Sequence, residues 1–232
     1  MNKFLSVFLL LLLTQCADNL PETYPEADLP KVEDAYVYPE DIQGMVYEEI
    51  QDAYRLPPDV LESISTAGLI CSLIDFPWLW GIYWTSSNAS PIGTSYRVYA
   101  QHNSVEALEE RPDRADVLLS YYKSIDPRCF ANAQSFMERP AQLTVLQALF
   151  TRNKILSQYN KEAKQEIVSL LLQRYGQTGA SFGTLEVMTW IMYNDLYKPV
   201  VRLFNNALNP EWFTFPEDLA EPVIAAARDF AE

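Results

Sequence analysis

The chain has 232 residues and a formal net charge of −14, from 31 acidic against 17 basic side chains. A balance this acidic argues against recognition of nucleic acid or anionic lipid headgroups through charge, and leaves basic partners and divalent cations admissible. An apolar fraction of 49% is ordinary for a globular chain and is enough for a packed core.

The first element is an export signal. Met1-Asn2-Lys3 precedes an apolar run from Phe4 to Leu13 that only Ser6 interrupts. One positive charge ahead of about ten apolar residues is the layout of a secretory signal peptide, and a spanning helix needs roughly 17–25 residues. Leu11-Leu12-Leu13-Thr14-Gln15-Cys16 then resembles the bacterial lipobox. That resemblance implies cleavage after residue 15, acyl chains on Cys16, and a membrane-anchored envelope lipoprotein facing the periplasm or the cell surface. Leu13 and Thr14 fit the pattern, whereas Gln15 stands where the family prefers a small residue. The alternative is an ordinary signal peptide cut nearby, with Cys16 incidental.

Eleven acids and one base, Lys31, lie between Ala17 and Asp52. Pro21, Pro25, Pro30 and Pro39 punctuate this stretch. Proline removes helix hydrogen bonds and like charges repel, so residues 16–39 are expected to be an extended, poorly packed tether. Residues 40–232 are expected to form one mostly helical domain.

Within that domain Ile42, Val46, Ile50 and Tyr54 recur at four-residue steps, and Pro57-Pro58 ends that helix and opens another at Asp59–Ile64. A helix over Thr66–Asp75 follows. Asn103 or Ser104 is placed to cap Val105–Glu110, and Asp113 to cap a helix carrying Ala115, Leu118, Leu119 and Tyr122 on one face. Pro127 opens a short helix with Phe130, Ala133, Phe136 and Met137 inward, and Pro140 a longer one reaching Tyr159. Lys161–Tyr175 carries Ala163, Ile167, Leu170 and Leu171 on one stripe, with Gly176 placed as its C-cap. Thr184–Tyr197, Val200–Leu208 and Glu217–Phe230 complete the set, Pro222 falling inside the last. The fold class is all-α, with about eight or nine helices in an irregular bundle or a short stacked α/α array.

Ala67–Trp84 is strongly apolar but holds Asp75 and Pro77. A charge near a membrane helix centre costs on the order of 3 kcal/mol, which favours a buried segment over a span. Phe76, Trp78, Trp80, Tyr83 and Trp84 form an aromatic cluster, read either as core or as a binding platform for a protein or glycan. The polar stretch Thr85–Ser95 is a rim or a plain loop, and Tyr96 and Val98 leave room for a short strand pair.

Chemistry is sparse. His102 is the one histidine and is expected on the surface near a helix start; no metal or cofactor pattern accompanies it. Cys71 and Cys129 can pair as a disulfide in an exported protein or remain buried thiols. Asp75, in an apolar setting, is a candidate acid with a raised pKa or a plain helix-end turn partner. Glu48-Glu49 and Glu109-Glu110 read as solvated helix faces.

The stretch from Leu56-Pro57-Pro58-Asp59-Val60-Leu61 to Leu69, then Ile74-Asp75-Phe76-Pro77, resembles a segment of uncharacterised Bacteroidetes-type lipoproteins. Arg114-Ala115-Asp116-Val117-Leu118-Leu119-Ser120-Tyr121-Tyr122 fits the same pattern, so the resemblance covers residues 56–125. It implies a surface or periplasmic protein and assigns no activity. The expectation is therefore a lipid-anchored, non-enzymatic binding or assembly protein of the envelope, the alternative being an envelope glycan hydrolase with a carboxylate pair.

Overall fold

The computed structural model describes residues 28–39, 49, 52–77, 79, 90–126, 129, 138–178, 182–204 and 215–232. In chain order its α-helices are α1 (Pro58–Ser63), α2 (Thr66–Ile74), α3 (Pro91–Gln101), α4 (Ser104–Glu110), α5 (Arg114–Ser124), α6 (Glu138–Ala148), α7 (Asn153–Leu156), α8 (Lys161–Thr178), α9 (Phe182–Asn194), α10 (Lys198–Leu203) and α11 (Ala220–Ala231). Tight 3-10 turns at Leu149–Thr151 and Glu217–Leu219 join them, and the described residues contain no strand. The chain is all-α.

Proline sets five of these starts. It is the first residue of α1 and α3, the second of α10 and the third of α6 and α11. First-turn amides have no intrahelical acceptor, so the missing N–H costs nothing there. This is why Pro140 and Pro222 sit inside helices that begin two residues earlier.

Helix α6 is the centre. Residues 141–150 are buried without a break, so the helix has no solvent face. Its polar side chains are accordingly paired: Gln142 Nε2 donates to Ile74 O at 2.8 Å, and Gln147 bonds both the Tyr122 hydroxyl and the Thr184 hydroxyl, each at 2.9 Å. Around it α2 packs on α4, α5 and α6, α3 packs on α6 and α9, and α11 returns onto α8 and α9. These contacts skip along the chain. A stacked array touches only sequence neighbours, so of the two expected arrangements this is the irregular bundle.

Several local expectations give way to tertiary partners. Tyr96 and Val98 lie on α3, not in a strand pair: Ser90 accepts the Gly93 amide at 2.9 Å and Pro91 is the first helical residue, which outweighs a brief alternation. The run from Pro140 to Tyr159 is two helices. Arg152 is extended between them, and Thr151 Oγ1 and Trp190 Nε1 both bond carbonyls of the connecting turn. Helix α8 passes through Gly176 to Thr178, because one glycine costs only about 1 kcal/mol when packing holds the helix. Asn103 and Asp113 occupy N-cap positions without capping. Asn103 instead clamps both backbone groups of Leu56 at 2.9 Å, and Asp113 accepts from Thr66 Oγ1 at 2.6 Å. Of the helix expected before Tyr54 only Glu49, Asp52 and Ala53 are described, and they are helical; Phe130, Ala133, Phe136, Met137 and residues 205–208 lie outside the described residues.

The largest departure is at the front. Residues 28–39 are non-helical, with a turn at Glu33–Asp34 closed by Ala35 N to Val32 O at 3.1 Å, and they are packed as a strap across α2 and α5. Leu29 and Tyr38 are buried. Pro30 O accepts from Tyr121 Oη at 2.9 Å and from Cys71 Sγ at 3.6 Å; Asp28 O accepts from Cys129 Sγ at 3.2 Å. Asp34 accepts from the Ser65 amide at 2.6 Å and its hydroxyl at 2.9 Å, placing a carboxylate at the positive end of α2. Gly68 makes this approach possible, since a Cβ there would lie 2.8 Å from Asp34 Oδ1. The strap ends where Tyr36 N donates to Ser72 Oγ at 2.9 Å and the Tyr38 hydroxyl meets Ser72 O at 2.7 Å and His102 Nε2. Repulsion between acids extends the chain, but it does not prevent the apolar residues among them from docking.

Tyr38 is therefore the strap's buried end, and its ring and hydroxyl separate cleanly. Tyr38→Phe leaves the Ser72 carbonyl and the His102 Nε2 without their partner and is expected to cost about 1–3 kcal/mol; Tyr38→Ala also empties the ring site and is expected to cost about 3–5 kcal/mol. Urea denaturation midpoints of the two variants measure this; an unchanged midpoint in Tyr38→Phe would show that the hydroxyl contributes nothing, and equal losses that the ring contributes nothing.

Candidate functional site

The aromatic segment is core wherever it is described. Phe76 is buried, with ring centroids 5.5 Å from Tyr54, 6.0 Å from Tyr38 and 5.0 Å from His102. It is no contact surface, because the strap covers it. Trp78, Trp80, Tyr83, Trp84 and the lipidation candidate Cys16 lie outside the described residues. Asp75 is exposed and is the C-cap of α2, its amide bonded to Cys71 O at 2.9 Å. Its exposure is not the enclosed apolar setting expected for it. Helix α2 is nine residues long, and no helix among the described residues is long and apolar enough to cross a membrane.

Cys71 and Cys129 are buried free thiols and not a disulfide. Each donates to a strap carbonyl, and burial holds each in the thiol form by pushing its pKa up. Glu109 is 7% exposed and paired with Arg152 of the α6–α7 break, so it is not part of a solvated face; Glu110 is exposed and pairs with Lys154.

His102 is 1% exposed, against the expected surface position. It forms a line with Ser104 Oγ, 2.5 Å from Nδ1, and with Tyr38 Oη at Nε2. The residue types suggest a nucleophile and base, but Ser104 is also fully buried and the line ends on a backbone carbonyl. No substrate atom reaches it. Desolvation, reinforced by the positive charge of Arg55, lowers the His102 pKa to about 3. The ring is neutral and serves as a structural bridge.

Glu186 of α9 is a second buried group that the sequence did not single out. Its Oε2 accepts from Ile92 N at 3.1 Å at the start of α3, and burial raises its pKa to about 8. It fastens α9 to α3 and is 1% exposed.

The open feature lies elsewhere. A groove of about 420 Å³ is formed by Lys161 and Gln165 at the start of α8, Asp195–Pro199 between α9 and α10, and Asp229–Phe230 at the end of α11. That volume suits a small ligand or a peptide side chain. Helix α9 ends there in a tight reversal: Leu196 N bonds Tyr193 O and Tyr197 N bonds Met192 O, both at 3.0 Å. This is the Schellman pattern, in which the residue in Leu196's place has left-handed backbone and is usually glycine. Leu196 has φ 56°, the one positive φ outside glycine in the described chain. Its side chain is 77% exposed over the groove. Tyr197 packs edge-on to Phe230 with centroids 5.1 Å apart, and its hydroxyl donates to Asp229. Lys164 holds Asp195 at 3.0 Å. Both carboxylates are thus engaged, while Lys161 and Lys198 are exposed and form no ion pair among the described residues. The one clue in sequence was a missing glycine: Asn194-Asp195-Leu196-Tyr197 follows an apolar helix without one, and the residues that best replace it, Asn194 and Asp195, fall before the left-handed position.

Two outcomes follow from His102 and Leu196. A folded pKa below the unfolded value of about 6.5 means that only the unfolded chain gains the His102 proton between pH 6.5 and 3. Stability is full above pH 6.5 and falls with acid, by on the order of 3 kcal/mol at pH 4 from this group. Thermal melts should show a flatter acid limb in His102→Gln; parallel limbs would contradict the burial argument. Leu196→Gly relieves left-handed strain and should raise stability by about 0.5–1 kcal/mol, a gain of a few degrees in Tm; a lowered Tm would contradict it. No protein-family model, curated protein or solved structure matches the chain.

Proposed function

We propose that the chain is a lipid-anchored, non-enzymatic binding or assembly protein of a bacterial cell envelope. The observation that carries this reading is the opening sequence: Lys3, the apolar run to Leu13, and Cys16 where the run ends. The strap gives the anchor a geometric meaning. Leu29 is the first buried residue among the described ones, and twelve residue steps separate Cys16 from Asp28. Fully extended, they reach at most about 43 Å. The helical body therefore works close to the bilayer, and its partners are proteins or glycans of the envelope; a net charge of −14 makes nucleic acid an unsuitable one.

The binding part of the reading is supported by what is buried and what is open. The single histidine and both described thiols are enclosed, while Leu196 and two lysines stand over an accessible groove. Metabolic labelling with a fatty-acid precursor tests the anchor. The native protein should carry label and sediment with membranes; Cys16→Ala should lose the label and become soluble. Equal labelling and equal sedimentation of the two would reject the proposal.

A further inference from the structure

We infer that the groove around Leu196 is a docking site for an acidic, extended peptide segment of a partner protein, with one bulky apolar side chain seated against Leu196. The inference rests on the groove alone and survives if Cys16 proves unmodified.

The argument begins with local cost. A reversal that closes with the bonds Leu196 N to Tyr193 O and Tyr197 N to Met192 O works best with glycine at Leu196. Leucine is disfavoured there twice: by its Cβ in left-handed backbone and by a side chain 77% exposed. Neither cost is recovered by a contact within the described fold. A partner that covers the side chain recovers the second, since burial of a leucine is favourable wherever the covering atoms come from.

Charge selects the partner. The chain is strongly acidic overall, yet the groove mouth carries Lys161 and Lys198, with Lys164 already matched to Asp195 and Tyr197 donating to Asp229. The groove lining carries two lysines, Lys161 and Lys198, and two aspartates, Asp195 and Asp229; with Asp195 paired to Lys164 behind it, the two lysines are the charges left open on an anionic body. An acidic side chain that reaches Lys161 or Lys198 gains a favourable pair inside the screening length of about 8 Å. A broad anionic surface such as a bilayer would instead meet the whole acidic body and be repelled. A narrow, extended segment takes the local attraction and avoids the long-range penalty. A cavity of about 420 Å³ also matches one large side chain with its flanking backbone, and not a folded domain.

The test is selection of random peptides displayed on phage against the full chain, with Leu196→Gly as counter-target. The expected result is a consensus of Asp and Glu flanking a single Leu, Phe or Trp. A synthetic peptide of that consensus should bind at least tenfold more weakly to Leu196→Gly and to Lys161→Glu/Lys198→Glu. Both variants should keep native circular dichroism, and the first should melt no lower than the native chain, so lost binding is not lost fold. Enriched peptides that are basic or neutral, or that bind the variants equally well, would overturn the inference. So would tighter binding of a peptide spanning residues 17–27, which would assign the groove to this chain's own acidic leader. Self-association abolished by Leu196→Gly would overturn it in favour of a second copy.

Discussion

The Tyr38 hydroxyl sits between Ser72 O and His102 Nε2 with no water access, and the front of the fold hangs on it. Ser72 belongs to α2, His102 closes α3, and Tyr38 ends the strap. One phenol thus joins three segments that are distant in sequence. Its position is fixed by rings as well: Tyr36, Tyr54, Phe76 and His102 surround it at centroid distances of 5.0 to 6.0 Å. Edge-on aromatic pairs add roughly 0.5–1.5 kcal/mol each beyond the area they bury, so this cluster is a strong local anchor. The hydrogen bonds matter for a different reason. A buried phenol or carbonyl without a partner is costly, so the three segments dock together or not at all.

The same logic explains how the strap is held along its length. An extended segment with no strand beside it must find side-chain partners for its backbone. Here Ser72, Tyr121, Cys71 and Cys129 supply them, each from an element already buried on its other side. The thiols are used as weak donors to carbonyls, which gives buried cysteine a structural task that needs no oxidation. The acids of the strap then divide by position. Asp34, although exposed, reaches the α2 amino end, while Glu33 stays in solvent.

Much of the helical pattern was legible because its signals are local. Proline at first-turn positions and the 3.6-residue apolar stripes on α5 and α8 place helices to within a few residues, as Leu118, Leu119, Tyr122, Ile167 and Leu171 illustrate by their burial. What was not legible depends on partners far along the chain. Asn103 and Asp113 look like caps, and their oxygens do accept hydrogen bonds, but from Leu56 and Thr66. Glu109 looks solvent-facing until Arg152, 43 positions on, is placed beside it. His102 looks exposed because it lies near a helix start, and Tyr38 of the strap and Phe76 bury it. In each case a residue type that is ambiguous locally is decided by a long-range contact, which one sequence does not reveal.

The groove shows the converse, a site marked by a local rule that is broken. Composition made Phe76 and the tryptophans near it attractive because aromatic residues are common at interfaces, but the same rings are common in cores, and Phe76 is in one. Exposure of Leu196 is uninformative by itself, since single surface leucines are ordinary. Left-handed backbone is also tolerable by itself. Their coincidence at one residue is different, because glycine would remove both disadvantages without disturbing the reversal's hydrogen bonds, which involve only backbone atoms. Local consistency is the normal state of a folded chain, and departures from it concentrate where something other than stability is being served. On that ground Leu196 is a sharper pointer than the aromatic segment. It stands where four helix ends meet, on a rim that carries the lysines an anionic partner needs.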